Sequence, residues 1–190
     1  MKIFIGNTIV FLPDEVKIRI YAIQEQLHRE CSDILAEPLI EDIFHITLHD
    51  LLNGEKYADL RWRMGEIQDR AKQLVWQIAE RNEEIRLKSS VLFNMVNTSM
   101  VLGFEPADEE SCQRIMEYYE ILQEVVSLSY PLTPHVTVAY FKPSRIEIEQ
   151  VKKLQGVIDW VNEQTPIRMI LSTKMLKYQE FSNMNHYWNS

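Results

Sequence analysis

Apolar residues recur along the chain in two alternating patterns, one typical of strands and one typical of helices. Residues 3–12 are rich in β-branched and aromatic side chains and end at Pro13, which predicts a buried strand. Asp14 is the expected cap of the following helix, which reaches about Glu30. Its apolar positions recur at helical spacing: Val16, Ile20, Ile23 and Leu27.

The same two patterns predict the remaining elements. Strands are expected at 44–52, 85–95, 98–104, 135–141 and 167–176, and the tail through Tyr187 and Trp188 is a candidate for one more. Helices are expected at 60–84, 112–126 and 148–161. Ser144 and Glu147 fit a capping box before the last helix.

This order, strand-helix-strand-helix-strand, occurs twice. We therefore predict an α+β fold in which residues 1–190 form a single bilobal domain of two pseudo-repeated halves that meet near 96–97. Each half is expected to hold a mostly antiparallel sheet with outer helices. The uncovered sheet faces would then border a central groove.

Two short segments carry the candidate chemistry, one in each half. Residues 44–48 read FHITL, within the first-lobe motif region at 44–52, and residues 134–138 read PHVTV, within the second at 134–141. Both have the order His, apolar, Thr, apolar. Because strand side chains alternate between faces, His45 and Thr47 point to one side, and so do His135 and Thr137.

Two imidazoles on facing walls suit the cleavage of a phosphodiester. The reaction needs a base for the attacking oxygen and an acid for the leaving oxygen, and the ordinary histidine pKa of about 6.5 allows either role near neutral pH. The hydroxyls of Thr47 and Thr137 can donate to the non-bridging phosphate oxygens. The residues leave open which of His45 and His135 is the acid, and whether the reaction is hydrolysis or ligation.

Composition restricts the partners. The hydrophobic fraction of 46% and charged fraction of 25% are typical of a globular protein. A formal net charge of −8 disfavours duplex DNA, because long nucleic acid is bound through Lys and Arg. No stretch has transmembrane length, so no membrane partner is expected. Cys31 and Cys112 follow no CxxC pattern and are predicted to be reduced thiols of a cytoplasmic protein.

The paired motifs resemble the two-histidine (2H) phosphoesterase superfamily, which includes bacterial 2′-5′ RNA ligase-like proteins and cyclic nucleotide phosphodiesterases. The resemblance implies that His45 and His135 are the acid/base pair and that Thr47 and Thr137 bind phosphate, without metal or cofactor. It implies a small nucleotide or an RNA terminus as substrate. Many relatives carry a basic residue soon after the second motif, whereas the first cation here is Lys142.

Further residues and functions are kept as alternatives. His49 and Tyr140 are possible substrate contacts, although His49 is expected at a solvent-exposed strand end. A zinc-dependent hydrolase could use His45, His49 and His135, with Asp50. A third possibility is a non-catalytic module of the same fold that binds nucleotides or RNA ends.

Overall fold

The computed structural model describes residues 5–11, 16–55, 57–183 and 185–189. Within these ranges the chain forms, in order, β1 (Ile5–Phe11), α1 (Lys17–Cys31), β2 (Ile46–Gly54), α2 (Tyr57–Glu80), β3 (Glu84–Met95), β4 (Ser99–Pro106), α3 (Glu109–Leu122), β5 (His135–Tyr140), α4 (Ile148–Asn162), β6 (Arg168–Ser172), β7 (Leu176–Asn183) and β8 (His186–Asn189). The predicted cap Asp14 lies outside the described residues. The predicted α+β class is confirmed.

The strands form two four-stranded antiparallel sheets. The first has the order β2-β1-β7-β8 and the second the order β5-β4-β3-β6. Helix α2 packs against β1, β2 and β7 of the first sheet, whereas α1 and α4 pack against each other and against β5 and β3 of the second. Helix α3 contacts strands of both sheets, so a single large core joins the two lobes.

The sheets do not follow the two sequence halves. Strand β3, which the pattern assigns to the first half, pairs with β4 and β6 in the second sheet, and β7 returns to the first. Helix α1 also packs against the second sheet. The expectation that each half forms its own sheet is therefore wrong. The reason is that residues 96–97 form the tight turn of a hairpin, so β3 and β4 are neighbours in one sheet.

That hairpin has an unusual turn. Val96 and Asn97 have φ angles of 44° and 58°, and the Thr98 amide donates to the Met95 carbonyl at 3.1 Å. Left-handed φ at two successive central residues is typical of a type I′ turn, which usually contains Asn or Gly. A β-branched residue is strained at such an angle and is atypical of this turn, so Val96 gives the sequence no obvious turn signal.

Two elements near the C-terminus differ from the pattern. The strand expected at 167–176 ends at Ser172 as β6, and the 3-10 turn Thr173–Met175 follows it. Strand β7 (Leu176–Asn183) lies beyond the expected strand and was not predicted. The last helix is capped by Glu147 with Gln150, so the predicted capping box at Ser144 is wrong by three residues. Ile148, the first residue of α4, is 65% exposed, whereas the buried face of this helix consists of Leu154, Val157 and Val161.

Two other predictions concern the thiols and the membrane. Cys31 is buried and Cys112 is exposed, and both are free thiols as expected. Among the helices in the described ranges, none has the length and apolar character required to cross a bilayer.

Candidate functional site

The strands that carry the two motifs lie side by side although they belong to different sheets, with His45 directly before β2 and His135 at the start of β5. Strand β2 is the edge of the first sheet, β5 is the edge of the second, and the two contact each other. A cavity of about 370 Å³ lies at their junction, a size typical of small-molecule sites. Four predicted side chains line it, and all four are half-buried: His45, Thr47, His135 and Thr137.

Both imidazoles are oriented by the same backbone contact. Nδ1 of His45 lies 2.7 Å from the carbonyl oxygen of Ile43, and Nδ1 of His135 lies 2.7 Å from that of Thr133. Each carbonyl is two residues before its histidine. Because a carbonyl oxygen only accepts, Nδ1 carries the proton and donates, and Nε2 is left to exchange protons with a ligand.

A β-bulge follows the first motif. Thr47 and His49 pair with consecutive residues of β1, so Leu48 between them is an extra residue without a partner. The bulge reverses the alternation of faces beyond it. Asp50 therefore takes the groove-facing position that regular alternation would assign to His49, and it lines the cavity.

The second motif has the same bulge. Thr137 and Ala139 pair with consecutive residues of β4, so Val138 is the extra residue. Tyr140, one of the predicted substrate contacts, then faces the cavity beside the Thr137 side chain. Tyr140 is thus the counterpart of Asp50, and the two motifs match over six positions rather than four.

His49 occupies a position that differs from the prediction. It pairs with Ile9, whose side chain is in the hydrophobic core, and it is only 1% exposed, so the expected solvent exposure is wrong. Its ring lies 5.2 Å from that of Tyr119, and neither ring nitrogen has a hydrogen-bond partner. Burial lowers the pKa of His49, although the neighbouring Asp50 and the Gln123 side chain oppose the shift. His49 is nevertheless among the residues that line the cavity.

The alternative zinc site is not assembled. Over the described part of the chain, no group of three or more His, Cys, Asp or Glu side chains is arranged to bind a metal ion. The register of β2 separates His49 from His45 and His135, because it turns the His49 side chain to the core face of its sheet.

The surroundings of His45 favour its neutral form. Burial is the main reason that the pKa of His45 is lowered, and the neighbouring His135 lowers it further. The Ile43 carbonyl and the Asp50 carboxylate act in the opposite direction without cancelling the effect. A neutral imidazole with Nδ1 protonated can accept a proton through Nε2.

Tyrosines complete the walls of the cavity. The Tyr187 ring approaches the His45 imidazole edge-on, with 5.0 Å between ring centroids. The Tyr130 hydroxyl donates to a carboxylate oxygen of Asp50 at 3.0 Å. Tyr187 comes from the last strand and Tyr130 from the segment between α3 and β5, so neither role has a signal in the local pattern.

Lys142, the first cation after the second motif, does not line the cavity. Its ammonium donates to the carbonyl oxygens of Ser32 at 2.8 Å and Asp33 at 3.2 Å, directly after α1. Cations at a helix C-terminus are favoured by the partial negative charge of its free carbonyls. The residue is therefore used structurally.

Comparison with known proteins identifies the fold. No family model and no curated protein matches the sequence. A conserved protein of unknown function from Agrobacterium tumefaciens matches the structure with a TM-score of 0.68 and 14% identity, over 99% of this chain and 85% of that one. Escherichia coli LigT complexed with 3′-AMP matches with 0.51 and 12%, over 97% and 93%. A solved phosphoesterase matches with 0.50 and 14%, over 97% and 95%.

These similarities extend over nearly the whole chain, so they include both lobes and both motif-bearing strands. The chain therefore has the two-lobed α+β fold of LigT and related phosphoesterases, which confirms the predicted resemblance at the level of the fold.

Proposed function

We propose that the protein is a paired-histidine phosphoesterase that acts on a phosphodiester of a nucleotide or an RNA end, with a 2′,3′-cyclic or a 2′-5′ linkage. The main observation is the matched geometry of the two motifs. His45 and His135 line one cavity, and each is oriented through Nδ1 by the carbonyl two residues earlier. The solved relative with 3′-AMP bound supports a nucleotide as the ligand class.

The proposed reaction uses both imidazoles. One imidazole removes a proton from the attacking oxygen, of water in hydrolysis, while the bond from that oxygen to phosphorus forms. The other, protonated, imidazole gives its proton to the leaving oxygen as its bond to phosphorus breaks. Both transfers use Nε2, because each Nδ1 is engaged with backbone. The histidines then exchange protonation states with solvent before the next turnover.

The threonines are proposed to bind the phosphate. Thr47 and Thr137 lie two residues after their histidines and line the same cavity. Their hydroxyls can donate to the two non-bridging oxygens, which carry the charge of the phosphodiester throughout the transfer. Fixed donors of this kind stabilise the transition state without reorganisation.

Substitution of single side chains tests the proposal. His45→Ala and His135→Ala are each expected to lower kcat on 2′,3′-cyclic nucleotides or 2′-5′ dinucleotides by about 10²–10⁴-fold, with unchanged circular dichroism. His186→Ala is the matched control, because His186 is exposed, lies outside the cavity lining and hydrogen-bonds to the Ser182 hydroxyl. Thr47→Val and Thr137→Val keep the shape and remove the hydroxyl, with an expected loss of about 10²-fold.

Two outcomes would overturn the assignment. One is a wild-type rate in either of the His45 or His135 variants. The other is tight binding across the whole panel without turnover by the wild-type protein, which would indicate the non-catalytic nucleotide-binding module.

A further inference from the structure

We propose that Asp50 is a substrate-selecting residue, which restricts the groove to phosphodiesters whose adjoining group is uncharged and disfavours substrates with a second phosphate nearby. The favoured class is a nucleoside 2′,3′-cyclic phosphate with a free 5′-hydroxyl. The disfavoured class is the same nucleoside with a 5′-phosphate. This inference rests on the proposed function and specifies its substrate.

The distance from Asp50 to the proposed phosphate position is similar to the length of a nucleoside. It pairs with Thr8, whereas Thr47 pairs with Val10, so the two groove-facing residues of β2 are separated by two steps of β1. At about 3.3 Å per residue, this spacing is about 7 Å along the strand. A phosphate beside Thr47, with its nucleoside extending along β2 toward Asp50, brings that nucleoside next to the carboxylate.

The carboxylate is fixed in place from the opposite wall. The Tyr130 hydroxyl donates to it at 3.0 Å, and the Tyr119 hydroxyl donates to the Tyr130 carbonyl at 2.5 Å. Tyr119 belongs to α3, which packs against β2. The charge of Asp50 is thus held at the groove by contacts from a separate element, and it cannot simply turn away from an approaching anion.

The cavity offers little positive charge to balance a second phosphate. Among the described residues that line it, none is Lys or Arg, and the imidazoles are the remaining candidates for cations. The two imidazoles at its centre, with the threonine hydroxyls, are placed to receive one phosphodiester monoanion. A further phosphate would approach Asp50 instead, and like charges at such distances in a half-enclosed site repel appreciably.

The same carboxylate acts across the width of the groove. Burial is the main reason that the pKa values of Tyr130 and Tyr187 are raised, and the Asp50 charge contributes to both shifts. Asp50 also opposes the lowering of the His45 pKa. Its field therefore reaches both walls of the cavity.

A pair of substrates that differ in one phosphate tests the proposal. We would measure kcat/KM for a nucleoside 2′,3′-cyclic phosphate with a free 5′-hydroxyl and for the same compound with a 5′-phosphate. The wild-type protein is expected to prefer the former by about tenfold or more, and less at high salt because of screening. Asp50→Asn should bring the ratio close to one. Asp69→Asn, which removes the same charge from the exposed surface of α2, should leave the ratio unchanged.

The outcomes separate this inference from the proposed function. Cleavage of both compounds at equal rates by the wild-type protein, or a ratio that persists in Asp50→Asn, overturns the selecting role and leaves the phosphoesterase intact. Failure to cleave either compound, together with failure to cleave the 2′-5′ dinucleotides, overturns the proposed function. In that case, calorimetry would measure the affinities for a nucleoside 3′-monophosphate and a 3′,5′-bisphosphate. A preference for the monophosphate that Asp50→Asn abolishes would support the selecting role of Asp50. Equal affinities would overturn that role.

Discussion

The ring of Tyr187 contacts the imidazole of His45 edge-on, with 5.0 Å between their centroids and 60° between their planes. Tyr187 lies on β8, one edge strand of the first sheet. His45 lies directly before β2, the opposite edge strand of that sheet. The contact covers one side of the imidazole, while the Ile43 carbonyl holds Nδ1. Together the two contacts favour the observed orientation of the ring.

Loss of this ring is expected to reduce catalysis without unfolding the protein. Aromatic contacts of this geometry contribute about 0.5–1.5 kcal/mol, so Tyr187→Leu should lower kcat/KM about two- to tenfold. Tyr187→Phe keeps the ring and is expected to remain near the wild-type rate. Steady-state kinetics of the two variants measure the effect, and an equal loss in both would assign the role to the hydroxyl instead.

The pH dependence of the reaction should reflect the lowered pKa of His45. Burial lowers that pKa below the ordinary value of 6.5, with His135 adding to the effect, so the imidazole remains neutral where a solvent-exposed histidine becomes protonated. We expect neutral His45 to accept the proton. Activity should then persist as pH falls to 6.5 and decline only below it, through the lowered pKa.

A pH profile of kcat/KM measures the position of this acid limb. Because Asp50 raises the pKa of His45, Asp50→Asn should move the limb to still lower pH. An acid limb at or above 6.5 in the wild-type protein would contradict the assignment of His45 as acceptor.

His49 is expected to limit stability. Both of its ring nitrogens are buried without hydrogen-bond partners, which is unfavourable by about 1–3 kcal/mol for such a group. His49→Leu should therefore raise the free energy of unfolding by about 1 kcal/mol at neutral pH. Denaturant titration measures it, with the exposed His186→Leu as a control that should change nothing.

The same variant has a pH signature. Burial lowers the folded-state pKa of His49, so below about 6.5 the unfolded state binds more protons and stability falls as pH decreases through the lowered pKa. His49→Leu should show a smaller loss over this window. An unchanged slope of stability against pH would contradict the lowered pKa of His49 in the folded protein.

Two glycines provide a matched test of packing. A Cβ at Gly6 would lie 2.5 Å from Cζ of Phe181 and 2.7 Å from the carbonyl oxygen of Leu52. Gly6→Ala should lower stability by about 1–3 kcal/mol and, because Phe181 lines the cavity, lower activity as well.

Gly65 lies in α2 with no atom within 4 Å of an added Cβ. Gly65→Ala should therefore raise stability by about 0.5–1 kcal/mol, because alanine is the better helix former. Thermal unfolding of the two variants measures both effects, and a stable Gly6→Ala variant would contradict the close approach of β1 and β7.

Local patterns were sufficient for most of the elements, with β7 as an exception, and for the two motifs. Alternation with period two places His45 with Thr47 and His135 with Thr137, and helical spacing locates α1 to α4 within a few residues. These features depend on which neighbours along the chain share a face, and that information is contained in short segments. The α+β class and the paired motifs were therefore predictable.

Tertiary structure decided which strands meet and where the alternation is interrupted. The pairing of β3 with β4 and the return of β7 to the first sheet depend on long-range packing, which short apolar patterns do not encode. The bulges at Leu48 and Val138 exchange His49 for Asp50 at the groove and bring Tyr140 into it. Tyr187 reaches His45 only because the last strand joins the first sheet. The candidate catalytic residues could be predicted from neighbours in the chain, whereas the residues that surround them come from contacts between distant segments.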